Sequence, residues 1–243
     1  MVGAMTRILL ASLALGALAA PAAAADRVFP VADFNRVIVE GPYRVHLVIG
    51  RPSRAVASGT REGLDRVSVE VNGQTLLIRR ARGTWTARPG ADLGPVTVAL
   101  ATRNLRSART IGPGRLDIEG AAGLNVEFTV EGGGTIRAAR IAAENLALAL
   151  LGSGAFDLAG TARSLRGQFQ GTGTVEARQL VAQEATIIAN TMGNVALTVN
   201  GPAAITAYGL GEVVVGGRPA CTTSGPSAAQ VRCGAASDQR QNN

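Results

Sequence analysis

The chain has 243 residues, of which 47% are hydrophobic but only 3% aromatic, and its 31 glycines are about twice the usual share of ~7%. Its formal charge of +7 rests on 24 arginines with no lysine, and there is one histidine and two cysteines. That inventory excludes a histidine-rich metal centre and a four-cysteine zinc site, and no metal or cofactor is expected.

In chain order, residues 1–25 read as a secretory signal peptide. Arg7 supplies the positive charge, Ile8 to Ala20 the apolar stretch, and Pro21 to Ala25 a small-residue cleavage zone ahead of Asp26. The apolar stretch is shorter than the ~20 residues that span a bilayer, and no later segment would anchor the mature chain. The expected location is exported, either periplasmic or at the cell surface. Nucleic acid is not an expected partner there, whatever the basic balance suggests.

From Asp33 to Leu100 the apolar residues recur at every second position, the mark of half-buried strands. Val37 and Val39 come first, broken by Gly41-Pro42. Val45, Leu47 and Ile49 follow, then Val67, Val69 and Val71, then Leu76 and Ile78, then Val96, Val98 and Leu100. Asn72-Gly73 predicts a tight turn with positive φ at both central residues, closing either a hairpin or a coil corner.

Beyond Gly112 a longer period takes over. Gly112-Pro-Gly114, Gly132-Gly-Gly134, Gly152-Ser-Gly154, Gly171-Thr-Gly173, Thr191-Met-Gly193 and Gly209-Leu-Gly211 start at steps of 20, 20, 19, 20 and 18 residues. Four and six residues after each start stand apolar pairs: Leu116/Ile118, Ile136/Ala138, Phe156/Leu158, Val175/Ala177, Val195/Leu197 and Val213/Val215. A second alternating run completes most units. One such unit has an apolar face and nothing to bury it against, so copies must stack and share a core. The predicted fold is all-β, a parallel β-helix-like solenoid of ~20-residue coils preceded by alternating strands. A sandwich of short antiparallel strands is the competing architecture. Glycine at the corners is expected to serve positive-φ conformations. A single solenoid domain over 26–234 and a disordered polar tail over 235–243 complete the division. Cys221 and Cys233 enclose a short Ser/Thr/Gly-rich loop, and in an exported chain they are expected to form a disulfide worth ~3 kcal/mol by the loop-entropy model.

Three stretches carry a family resemblance. Phe34-Asn-Arg-Val-Ile-Val-Glu-Gly41, Tyr43-Arg-Val-His-Leu-Val-Ile-Gly50 and Val67-Ser-Val-Glu-Val-Asn-Gly-Gln-Thr-Leu-Leu-Ile78, followed by the Gly-x-Gly units, resemble the bacterial family called the putative auto-transporter adhesin head GIN domain. The likeness runs from about Asp33 to Gly234. It implies an exported β-helix-like domain and implies no catalytic site.

Residues that could carry chemistry are few. His46 lies opposite Val45 and Leu47 and reads as a surface residue, since no Gly-x-Ser-x-Gly elbow exists to give it a nucleophile. Asp117, Arg137, Asp157 and Glu176 hold the same place in successive coils. Asp157 and Glu176 would stand ~5 Å apart on stacked coils. Paired carboxylates at roughly 5–9.5 Å serve glycosidases, which keeps a carbohydrate-active β-helix enzyme as the alternative function. The alternation of charge reads instead as exposed ion pairing. The Gly-x-Gly units lead into strands, not helices, so they are not dinucleotide fingerprints, and Gly132-Gly-Gly-Thr lacks the Asp of a calcium-loading nonapeptide. Arg79, Arg80, Arg82 and Arg88 gather around Trp85 as a candidate anion or ligand patch. The favoured function is a non-enzymatic, adhesin-like cell-envelope interaction module. Its expected partner is an anionic envelope polymer or another envelope protein.

Overall fold

The computed structural model describes residues 25–82 and 95–234. Its strands are β1 (Ala25–Phe29), β2 (Arg36–Glu40), β3 (Arg44–Ile49), β4 (Arg54–Gly59), β5 (Val67–Asn72), β6 (Thr75–Arg80), β7 (Thr97–Thr102), β8 (Ser107–Ile111), β9 (Arg115–Ile118), β10 (Ala121–Gly132), β11 (Thr135–Gly152), β12 (Ala155–Gly171), β13 (Thr174–Thr191), β14 (Val195–Val199), β15 (Pro202–Ala207), β16 (Val213–Gly217), β17 (Ala220–Ser224) and β18 (Val231–Cys233). A short helix, α1 (Arg61–Asp65), joins β4 to β5.

These strands form two ladders. Sheet A runs β1-β4-β7-β3-β9, then the first legs of β11, β12 and β13, then β14-β16-β18; only its β1–β4 and β4–β7 pairs are antiparallel. Sheet B runs β5-β6-β2-β8-β10, then the second legs of β11, β12 and β13, then β15-β17, with β5–β6 alone antiparallel. Between the legs each long strand bends, and short segments such as Ile141 to Ala143 pair along a narrow third strip. The fold is therefore a parallel β-solenoid, and the parallel pairing of segments one period apart excludes the antiparallel sandwich.

The predicted inward positions stack in register. Leu116, Ile136, Phe156, Val175, Val195 and Val213 are successive Cα partners along sheet A, and each is between 0 and 2% exposed. On sheet B the matching row is Leu76, Val37, Ala108, Phe128, Leu148, Gly167, Ile187 and Ile205. Aliphatic side chains dominate, but Phe128, Phe156 and Phe169 are the bulkiest fully buried groups. Each such side chain contributes ~1.5–3 kcal/mol relative to exposure. Gly167 makes room for one of them: a Cβ there would sit 2.6 Å from Phe169 Cζ and 2.8 Å from Ile187 Cδ1.

The corner glycines answer two different demands. The first takes positive φ at Gly112, Gly132, Gly152 and Gly171, as expected, but not at Gly209, where a Cβ would overlap Thr191 O. The second does not, and is glycine because neighbouring coils come too close for a side chain. A Cβ on Gly134 would lie 2.8 Å from the carbonyl oxygens of both Gly112 and Gly114, and one on Gly154 would overlap Gly134 O and Val130 Cγ1. Thr191 replaces the first glycine with ordinary φ and shapes its corner by side chain, its Oγ1 accepting from Gly193 N at 3.0 Å.

The N-terminal third departs from a simple winding. Its alternating strands do not stand apart as a lead-in but are threaded into both ladders, with β2 between β6 and β8 and β3 between β7 and β9. Asn72 pairs with Thr75, so the Asn72-Gly73 turn closes a hairpin, not a coil corner. Positive φ falls on Gly73 alone, at 61°, as a two-residue loop with glycine first requires. Helix α1 is capped by Thr60, whose Oγ1 accepts from Gly63 N at 3.0 Å, and it buries Leu64.

At the other end Cys221 and Cys233 form a disulfide with Cα atoms 6.5 Å apart. Cys221 continues the inward row of Ala203, and Cys233 that of Val215. The bond thus joins sheet B to sheet A at the last coil. Among the described residues no helix is long and apolar enough to cross a membrane.

Candidate functional site

The outward side of sheet A bears the expected charged column. His46, Asp117, Arg137, Asp157 and Glu176 are successive partners in register. Arg137 Nε meets Asp157 at 3.1 Å, Arg115 Nε meets Asp117 at 2.9 Å, and Arg178 meets Glu176 at 3.3 Å. The hydrogen bond from Arg115 to Asp117 raises the Arg115 pKa above its ordinary value. His46 Nε2 lies 3.4 Å from Glu119, which Arg140 approaches at 3.6 Å. A second ladder runs over the bend, where Arg163 bridges Glu144 at 2.6 Å and Glu184 at 3.8 Å. These pairs are solvated, and exposed pairs of this kind add little to stability. Asp157 and Glu176 do sit on adjacent strands, but each is engaged by a guanidinium. Among the described residues no group of three or more His, Cys, Asp or Glu could hold a metal ion.

Sheet B presents a different surface. Its outward row reads Arg36, Ser107, Glu127, Ala147, Arg166 and Thr186, and the next reads Ile38, Arg109, Thr129, Ala149, Gln168 and Ile188. The small residues at Ser107, Ala147 and Ala149 leave two adjoining concavities of about 320 and 340 Å³. They share Glu127, Ala147 and Arg166 and form one shallow trough. Arg36 and Arg106 line one end, with Asn125 and Asn145 on its wall. Asn145 donates to Asn125 Oδ1 at 3.1 Å and to Leu124 O at 3.2 Å, a side-chain rung linking neighbouring coils. Arg109 is held by Glu131 at 2.5 Å. Arg36, Arg106 and Arg166 form no ion pair among the described residues.

The arginine patch read from the sequence is partly in view. Arg79 and Arg80 are consecutive in β6 and so point to opposite sides of the sheet. Arg79 binds Glu70 at 3.1 Å, and Arg82 lies in the turn that follows, near enough to Glu70 to help lower its pKa. The largest causes of that lowering are hydrogen bonds from Ser68 and then Arg79. Arg80 lies on the Tyr43 side. Trp85 and Arg88 lie outside the described residues, as do 1–24 of the expected leader and the 235–243 tail.

The trough itself was not anticipated. Arg166 shares its coil position with Ser107, Glu127 and Ala147, so half of the trough was visible as a column at steps of 20, 20 and 19 residues. Arg36 joins only through the threading of β2 beside β8, for which the sequence carries no local signal.

A family model described as "Putative auto-transporter adhesin, head GIN domain" matches residues 33–219. Among solved structures, a putative adhesin from Bacteroides fragilis superposes with a TM-score of 0.74 at 18% identity, covering 88% of this chain and 94% of that one. A putative adhesin from Parabacteroides distasonis gives 0.62 at 15% identity, covering 88% and 96%. A putative lipid binding protein from the same species gives 0.61 at 16% identity, covering 83% and 93%. At such identities the likeness is one of fold. No curated protein matches the chain. The family match spans most of the sequence and the fold agrees with it, so the protein belongs to the putative auto-transporter adhesin, head GIN domain family.

Proposed function

We propose that the protein is an exported, non-enzymatic interaction module of the bacterial cell envelope, adhesin-like in that a rigid stacked sheet offers a long face to a partner. One observation carries this reading. The charges of sheet A neutralise one another along the ion ladder, whereas the trough on sheet B keeps three arginines without an ion pair among the described residues. Family membership supports it, and the disulfide, together with the leader read over residues 1–25, supports export. The partner is an anionic envelope polymer or another envelope protein.

The test is to incubate the protein with acidic polysaccharides, peptidoglycan fragments and lipopolysaccharide while measuring binding and product release together. Binding without product release is expected. Turnover that disappears in Asp157→Asn or Glu176→Gln would replace this reading with a carbohydrate-active enzyme.

A further inference from the structure

We infer that the sheet B trough is a binding site for an acidic polysaccharide whose carboxylates are spaced by neutral, hydroxyl-bearing units. The inference rests on the interaction-module reading and assigns that module's ligand class and site. Arg36 and Arg166 are four strands apart in one row, ~19 Å at ~4.8 Å per strand. That backbone span suits an extended chain lying across the coils. Arg106 lines the same end as Arg36, and Arg166 stands where the two concavities meet, so Glu127 falls between the cations along the row.

The middle decides the ligand. Glu127 stands there, exposed and without an ion pair among the described residues, beside the methyl floor of Ala147 and Ala149. A carboxylate at that point repels a second carboxylate but accepts hydrogen bonds from sugar hydroxyls. Asn145, Gln168 and Thr186 add neutral donors and acceptors along the rim. Ile188, 44% exposed, extends the apolar floor against which the C–H face of a sugar ring can lie. Guanidinium forks suit carboxylates bidentately. The trough lining has no aromatic residue, so it gives nucleobases no stacking platform.

The experiment is calorimetric titration of the purified full chain with hyaluronan, an alternating uronate polymer, against polygalacturonate, dextran sulfate, neutral dextran and single-stranded DNA. Hyaluronan should bind best, neutral dextran not at all, and binding should weaken as salt rises. The double variant Arg106→Glu/Arg166→Glu should lose at least tenfold in hyaluronan affinity, while Arg61→Glu on α1 should lose none. Glu127→Gln should bind polygalacturonate more tightly than the wild type, a gain that misfolding cannot mimic. Equal losses in the Arg61 variant, an unchanged double variant, or DNA binding as tight as hyaluronan would each overturn the site. If no acidic polysaccharide binds, the inference fails. Binding of peptidoglycan or an envelope protein would then leave the broader function standing, and silence toward every envelope component would remove both.

Discussion

At its N-terminal end the stack is closed by chain. Strand β4 turns antiparallel against β7 and β1 antiparallel against β4, β5 folds back on β6, and α1 lays Leu64 into the core. At its C-terminal end there is no comparable cover among the described residues: β17 and β18 are short and largely exposed, and a single covalent bond crosses the last coil. Both ends meet one requirement, to stop an apolar interior from opening to water. One does so with many weak contacts formed anywhere the chain folds. The other depends on a bond that persists only in an oxidising compartment.

That contrast can be broken from the middle, from either end, or by pH. The largest effect is expected from Gly154→Ala, which drives a methyl into Gly134 and Val130. It should destabilise by more than ~4 kcal/mol in denaturant titration, loosening both ends alike. Leu64→Ala should remove ~2–5 kcal/mol, and hydrogen exchange should then rise in β1, β4 and β5 ahead of β17. Reduction, or Cys221→Ser with Cys233→Ser, should remove ~2–4 kcal/mol with exchange rising first in β17 and β18. Identical exchange patterns from these last two would show that the ends are not independent.

The smallest effect concerns alkali. Burial raises the Tyr43 pKa, partly offset by Arg80. A folded pKa above the unfolded value of ~10 gives stability that is complete below pH ~10 and lost as pH rises through the folded value. The chain has no lysine and only two tyrosines, so little else titrates there. Tyr43→Phe should flatten the fall in melting temperature above pH ~10, and an unchanged fall would remove Tyr43 from the account.

The repetitive part of the molecule was legible because its physics is local in the repeat. Each coil needs the same inward pair and the same corner, so Leu116 to Val213 announce their alignment by spacing alone. The charged row from Asp117 to Glu176 follows from that same arithmetic. The second glycine of each corner was misjudged, since its reason is the approach of the neighbouring coil and not its own dihedral angles. The Asn72-Gly73 turn was in view, with hairpin and corner left open, but the threading of β2 and β3 was hidden for a different reason. Parallel partners there are far apart in sequence, and alternation marks a strand without naming its neighbour. The Arg36, Arg106 and Arg166 trough inherits that blindness.

In-register stacking has one more effect, on size. Because Gly132 pairs with Gly152 and Gly152 with Gly171, a segment such as 133–152 is a self-contained tier whose upper and lower surfaces match. Duplicating it would lengthen the rod by a single increment of ~4.8 Å and leave both termini undisturbed. The length of such a molecule is therefore adjustable in whole steps.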